Sequence, residues 1–459
     1  MHKVEINNRT AYANDGDLLS DVIMQSGGRV SHPCGGKGIC KKCLVKVNGK
    51  DELSCRYAIR SDITVTFDEE DKIISETGAV ATAEKTEKLC LALDIGTTTL
   101  ALALVSADSG NIIRVTTKNN PQRVFGADVM SRIEYCRKNG IDGLQRPLVD
   151  AVNYMIAELD AENLDMLVSG NVTMLHTFFG IDCSSIGVAP YTPAFLDGRT
   201  VSGEKIGLNV GTVTALPSVH SFVGADIVAG LNYVGLPKKG KYNLLVDLGT
   251  NAEIVLFDES SALCTSAAAG PCFEGANISC GMSATEGAVY EYAQGKIKTV
   301  GNVIPKGICG TGLVDVVAEL IKNGTVDETG LMECESLEIA DGVEITQADI
   351  REYQLAKSAV CAAIITLVKQ KSITFDDIET VYISGGFSAR INIENATATG
   401  LLPRELKEKC VAVNNSALLG TVKYAAEKND LSLFTENAVY IDLAASTDFS
   451  ELFIKNMMF

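Results

Sequence analysis

Four cysteines, Cys34, Cys40, Cys43 and Cys55, stand in the frame HPCGGKGICKKCLVKVNGKDELSC, separated by five, two and eleven residues. Three thiolates from one glycine-bearing loop and a fourth from the next strand or turn can close a cage around a two-iron, two-sulfur cluster. Gly35, Gly36 and Gly38 let that loop curl so that its amides face the sulfurs. A structural zinc site also takes four cysteines, but its usual form is two separate short knuckles, and only Cys40 and Cys43 make one here. Zinc and unligated thiols are the competing readings; the spacing and glycines favour iron–sulfur chemistry, and hence a chain that carries electrons.

A second kind of chemistry lies in LCLALDIGTTTLALALV and YNLLVDLGTNAEIVLF. Aligning Asp94 with Asp247 superposes three apolar residues, an Asp, an apolar residue, Gly and Thr, the mark of a duplicated unit. Each copy reads as a buried strand that turns through Gly-Thr and returns as a second strand. That is a β-hairpin and not the strand-to-helix turn of a P-loop. Two such turns facing across a cleft can clamp a triphosphate. Gly96 and Gly249 let the backbone approach, while amides and the hydroxyls of Thr97, Thr98 and Thr250 donate to its oxygens. Asp94 and Asp247 suit a hydrated Mg²⁺ riding on the phosphates, because magnesium takes few carboxylates and keeps several waters. Asn251 would donate to phosphate or orient the attacking water. One copy alone is equally an ordinary tight hairpin; two copies followed by a third glycine motif, SGG at 384–386, are not.

Other residues have plainer alternatives. Gly310 and Gly312, in GICGTGLVD, open a helix and either offer amides to nucleotide or form a packed turn. Asp128 and Asp226 are candidates to orient a hydrolytic water and equally readable as acids at helix N-termini. His176, in an apolar run, reads as a satisfied core histidine. Cys272, Cys280 and Cys309 are too irregularly spaced for a second cluster and read as buried structural thiols.

The elements that must position these groups fall into blocks. Over the first seventy residues, short alternating strands (VEINN, TAYAN, LVKVNG, ITVTF) surround one amphipathic segment, DLLSDVIMQSG, giving a compact sheet with a helix. From Asp68 to Lys88 the text is charged, small and aperiodic, as in a linker. Strands and helices then mix in two comparable halves, with helical patterns at LVDVVAELIKNG and LAKSAVCAAIITLVKQ and a strand at TVYISGG. The expected domains are 1–70, a linker 71–88, a first lobe 89–240 and a second lobe 241–459.

A length of 459 residues with 46% hydrophobic residues is ample for several cores. No run of eighteen apolar residues and no apolar leader after MHKVEINNRT appears, so a cytoplasmic, non-membrane protein is expected. The ten cysteines outside the cluster frame, such as Cys90, Cys361 and Cys410, are scattered singly and read as reduced thiols of a reducing cytoplasm. A net charge of −18 with no basic patch excludes a nucleic-acid partner and suits a protein partner with a basic face.

The first seventy residues resemble the β-grasp ferredoxin fold, in the form built into larger enzymes. LDIGTTT, VDLGTNA and YISGGFSA resemble the phosphate-1, phosphate-2 and adenosine motifs of the acetate kinase, sugar kinase, Hsp70 and actin superfamily, over about residues 89 to 445. That resemblance implies two ribonuclease-H-like lobes closing on ATP, Asp94 and Asp247 as the magnesium-linked aspartates, and Gly385 and Gly386 as the turn against which adenosine packs. A Gly-Gly at a strand end removes side chains where a flat purine must lie close. With GNVTMLHTFFGI, GADIVAGL, GPCFEGANISCGMSA, GICGTGLVDVVAEL and NNSALLG, the fusion looks like the reductive activators of corrinoid-dependent methyltransferases. It departs from members that carry an additional middle domain, or four-iron clusters. The resemblance implies a 2Fe-2S cluster, ATP and Mg²⁺ as cofactors, a corrinoid protein as partner and a cellular electron donor. Whether the active unit is a homodimer stays open. Alternatives are an electron donor to another low-potential metalloprotein such as a dehydratase, a small-molecule kinase with an accessory ferredoxin module, and a nucleotide-dependent scaffold.

Overall fold

The computed structural model describes residues 1–7, 9–26, 43–67, 87–126, 128–386 and 388–459. Its first body is a five-stranded sheet, ordered β2-β1-β5-β3-β4, of β1 (His2–Ile6), β2 (Arg9–Ala13), β3 (Leu44–Val47), β4 (Lys50–Leu53) and β5 (Ile63–Thr66). Helix α1 (Leu19–Gln25) belongs to it, and Val4, Ile6, Leu19, Val45 and Val65 make its core. Val4, Ile6, Val45 and Val47 are buried on one face, with Glu5 and Lys46 exposed between them, as period-2 alternation requires. Strand β4, Lys-Asp-Glu-Leu, lacks that alternation and was not foreseen from the sequence. It is a polar edge strand held by its hairpin register to β3.

Two six-stranded sheets make up the rest. The first contains β6 (Leu89–Ile95), β7 (Thr99–Ser106), β8 (Ile112–Asn119), β9 (Met166–Gly170), β10 (Arg199–Ser202) and β11 (Thr212–Ala215), in the order β10-β11-β9-β6-β7-β8. Helices α2 (Val129–Asn139), α3 (Asp142–Glu158), α4 (Val172–Phe178) and α5 (Ala225–Val234) accompany it. The second begins with β12 (Tyr242–Leu248), β13 (Ala252–Phe257) and β14 (Ala262–Ala267). A small sheet of β15 (Ala288–Ala293), β16 (Lys296–Thr299) and β17 (Gly307–Ile308), helix α6 (Gly310–Lys322), a hairpin of β18 (Ser336–Ala340) and β19 (Val343–Thr346), and the long α7 (Gln347–Gln370) follow. The chain then returns to the second sheet as β20 (Ile378–Ser384), β21 (Cys410–Ala412) and β22 (Ala438–Tyr440), with α8 (Ile393–Ala398), α9 (Ser416–Glu427), α10 (Ser432–Thr435) and α11 (Thr447–Lys455) between and after. Its order is β21-β20-β12-β13-β14-β22.

The duplication is visible in these orders. Reading β8-β7-β6-β9-β11 beside β14-β13-β12-β20-β21, both sheets place an antiparallel three-strand meander first and two parallel strands after it. Leu91, Leu93, Leu102 and Val168 of one sheet share a core with Leu245, Val255 and Phe257 of the other, through Val228 and Leu231 on α5 and Leu418 and Val422 on α9. The far face of the second sheet packs separately on α6 and α7, where Leu244, Val246 and Ile254 meet Leu313, Val317, Val360 and Ile364. Helices α5 and α9 thus form a shared layer between the sheets. They cross at small residues: a Cβ on Gly420 would lie 1.7 Å from the Ala229 carbonyl oxygen. Among the described residues no helix is long and apolar enough to cross a membrane.

Candidate functional site

Each sheet delivers one aspartate to the cleft on its central strand. Asp94 is the penultimate residue of β6, and the turn behind it closes with Gly96 N–H donating to Thr99 O at 3.0 Å. A Cβ on Gly96 would meet that same oxygen at 2.7 Å, so the turn requires glycine. Asp247 is the penultimate residue of β12, and Gly249 N–H donates to Asn251 O, again at 3.0 Å. The equivalence extends to the neighbouring strand: Asp94 lies in register with Ser169 on β9, and Asp247 with Ser384 on β20. Ser384 hydrogen-bonds the Asp247 carboxylate and lies 2.6 Å from Ser416 Oγ at the start of α9. Asn415, which caps α9 by accepting from Leu418 N–H, uses its amide nitrogen on Asp94.

The electrostatics follow from convergence of acids. Burial, then repulsion from Asp226 and Asp247, pushes Asp94 up to about 8. Burial and Asp247 raise Asp226 to about 7, and burial raises Asp247 to about 6 against the restraining hydrogen bond of Ser384. Asp226 sits in the first turn of α5 and accepts from Ile227 N–H at 2.9 Å. Glu253 was not singled out in the sequence. It is the register partner of Asp247 on β13, accepts from Ser266 Oγ at 3.1 Å, and is driven well above the usual carboxylate range by burial and by Asp226 and Asp247. An acid inside the otherwise apolar run AEIVLF was its signal. Four carboxylates of this kind fit a hard divalent cation with oxygen ligands. Among the described residues no three His, Cys, Asp or Glu side chains are spaced to hold a metal by themselves.

The threonines line the turns. Thr97 O accepts from Arg132 Nη2 at 2.5 Å and Thr97 Oγ1 from Asn171 Nδ2 at 3.2 Å. Thr98 Oγ1 donates to Glu274 Oε2 at 3.3 Å, and Thr250 N–H donates to Glu274 Oε1 at 3.1 Å. Asn251 is half-buried at the tip of the second turn. Arg132 and Glu274 also escaped sequence reading. Arg132 looked like one more helix residue, and Glu274 stood inside GPCFEGANISCGMSA with only its flanking glycine as a cue.

The remaining candidates divide. Gly385 has φ 110° and its Cβ would lie 2.1 Å from Leu248 O, so the glycine turn presses directly on the end of β12, while Gly386 faces open space. Beside this turn, the Arg390 guanidinium lies 5.0 Å over the Tyr290 ring. Gly310 and Gly312 are buried in the first turn of α6, where a Cβ on Gly312 would meet Val289 O at 2.1 Å. Packing against β15 accounts for that glycine. Asp128 caps α2, accepting from Ser131 N–H and Oγ at 2.8 and 2.7 Å. His176 is fully buried with both nitrogens satisfied, by Val172 O at 2.7 Å and Ala194 N–H at 2.9 Å. Cys272 and Cys309 are buried and Cys280 half-buried.

Of the four cluster cysteines, Cys43 and Cys55 are described, and Cys34 and Cys40 lie outside the described residues, as does the linker over 68–86. Cys43 and Cys55 are both buried, with their sulfurs 3.1 Å apart. That is well beyond the ~2.05 Å of a disulfide, so the two sulfurs are not bonded to each other and converge on one point. Converging, reduced thiols fit the donor set of an iron–sulfur cage.

Two models of one family match the larger body of the chain. Residues 89–239 match the family profile "RACo middle region", and residues 241–459 match "C-terminal domain of RACo the ASKHA domain". A corrinoid activation enzyme, RamQ, of Eubacterium limosum is 28% identical over 96% of each chain. A [Co(II) methylated amine-specific corrinoid protein] reductase of Methanosarcina barkeri is 26% identical over 79% of this chain and 76% of its own. Among solved structures, a reductive activator for a corrinoid, iron-sulfur protein superposes with a TM-score of 0.72 and 25% identity, covering 100% of this chain and 98% of the other.

Proposed function

This chain belongs to the RACo family over residues 89–459, and from that premise we propose that it is an ATP-dependent reductive activator that returns the Co(II) corrinoid of a partner protein to Co(I). The observation that carries the reading is the pair of equivalent Asp-Gly-Thr turns, one from each sheet, whose aspartates meet in one cleft. Relatives that match nearly the whole chain bear the names of corrinoid activators, which supports the choice of acceptor.

In this reading Gly96, Thr97, Thr98, Gly249 and Thr250 bind the triphosphate, Asn251 donates to it, and adenosine packs against Gly385 and Gly386. Asp94 and Asp247 would hold a hydrated Mg²⁺, whose charge would offset that of the phosphates and of the crowded carboxylates. Asp226, buried at the start of α5 within electrostatic reach of both aspartates, orients the attacking water in this reading. Asp128 is already committed to capping α2. A 2Fe-2S cluster held by Cys34, Cys40, Cys43 and Cys55 would supply a one-electron carrier.

A nucleotide shifts an equilibrium only by its differential affinity for two states. A coupling of about 3 kcal/mol, at the upper end of ordinary allostery, equals roughly 130 mV for one electron at 59 mV per tenfold. That is enough to make a disfavoured reduction workable. The test mixes dithionite-reduced protein with the Co(II) corrinoid protein of its own organism and follows cobalt spectrally. MgATP should produce a Co(I) signal that is absent without it. Reduction independent of ATP, or none at all, would overturn the proposal and favour another low-potential acceptor.

A further inference from the structure

Glu274 touches both turns. It ends a short 3-10 turn, Pro271–Glu274, that the second lobe fixes: Cys272 and Phe273 are buried in its core, and Gly275 (φ 81°) is so tightly packed that a Cβ there would meet Met282 N at 2.4 Å. From this anchored position the carboxylate reaches Thr250 N–H on the turn of its own lobe and Thr98 Oγ1 on the turn of the other. One side chain therefore spans the cleft at the level where the two turns present their donors.

We infer that Glu274 is a positioning residue that competes with the nucleotide's phosphates for those donors and is exchanged for them on binding. The inference rests on the reading of the two turns as the phosphate clamp. A backbone N–H serves one good acceptor at a time, so a phosphate oxygen that takes Thr250 N–H must displace Oε1. Carboxylate and phosphate are both anions with oxygen acceptors, and two of them cannot share one slot without repulsion. The other charge facing the slot agrees. Arg132 is fully buried, its hydrogen bonds among the described residues go to neutral acceptors, and one of these is Thr97 O on the first turn. A buried cation without a contacting carboxylate is costly unless an anion nearby balances it. The Glu274 carboxylate, together with Asp128 and against the neighbouring charge of Arg123, lies within electrostatic reach of that guanidinium, as a phosphate in the same slot would.

The exchange makes Glu274 the part that couples nucleotide to the relation between the lobes. Bound to both turns, the carboxylate fixes their separation; released, it frees the turns to close on phosphate.

Calorimetric titration of the full chain tests this. Glu274→Gln keeps the shape and one acceptor oxygen but removes the charge. It is expected to bind MgATP about tenfold more tightly, or ~1.4 kcal/mol, while its affinity for adenosine, which has no phosphate to exchange, stays that of the wild type. Unchanged or weaker MgATP binding overturns the inference, as does equal tightening toward adenosine, which would report a general change in the cleft. Should Glu274→Gln not fold, Glu274→Asp is too short to span both donors and is expected to tighten MgATP binding in the same direction; no gain there overturns the inference too. If the wild-type protein does not bind MgATP, the clamp itself is refuted. If the wild type binds and Glu274→Gln is indistinguishable from it, only the role of Glu274 falls.

Discussion

Thr421 on α9 donates its hydroxyl to Ser169 Oγ on β9 at 2.8 Å, joining the helix of one lobe to a central strand of the other inside the protein. The contact lies five residues along α9 from Ser416, which meets Ser384 beside Asp247. The N-terminal half of α9 thus touches both the strand beside Asp94 and the strand beside Asp247.

The crossing of α9 over α5 depends on glycine. Gly420→Ala would drive its Cβ into the Ala229 carbonyl oxygen and lose the fit that lets Asn232 Nδ2 donate to Gly420 O at 3.0 Å. A cost of about 3 kcal/mol is expected, read as a lower midpoint of thermal unfolding. An unchanged midpoint would show that the helices can part freely.

Asp247→Asn and Asp94→Asn each remove a charge proposed to hold magnesium. MgATP hydrolysis should fall by roughly a hundredfold or more, the scale of losing one preorganised electrostatic group, while the visible spectrum of the proposed cluster is retained. Loss of both together would show that the ferredoxin-like body and the nucleotide cleft do not stand apart.

Cys43→Ser or Cys55→Ser should abolish the two-iron EPR signal of dithionite-treated protein yet leave calorimetric MgATP binding within about twofold of wild type, because the sulfurs belong to a separate sheet and core. A persisting signal would mean that these two thiols are not ligands.

The carboxylate cluster predicts a pH dependence with a definite sign. Asp94, Asp226, Asp247 and Glu253 all have folded values raised above the unfolded ones, so the folded protein holds more protons and loses stability as pH rises. The loss should run from near pH 4 to about 8, the value reached by Asp94. Glu253→Gln removes one such group and keeps the acceptor for Ser266. Its thermal midpoint should match wild type near pH 4 and exceed it at pH 8, and equal midpoints at both would refute the burial of that acid.

Both hairpin turns, the duplicated halves and the capping role open to Asp128 were legible because each is local, set within a dozen residues by apolar runs, glycine and threonine. His176 was legible for the same reason, as a polar residue on an apolar helix. Arg132, Glu253 and Glu274 were not, because each acquires its role from residues far along the chain: Arg132 from Thr97, Glu253 from Asp226, and Glu274 from Thr98 at a separation of 176 positions. For the glycines of GICGTG the text left a nucleotide loop and a packed turn both open, and the close approach of Gly312 to Val289 gives that residue a packing reason to be glycine. The crossing of α5 and α9 had no signal at all, since Ala229 and Gly420 lie 191 positions apart.

Because α5 and α9 bury their apolar faces in a core common to both sheets, opening the protein at its base would expose oily surface to water along the whole seam. Relative motion of the two sheets that keeps this seam closed is therefore a pivot about this axle, small near Gly420 and larger away from it.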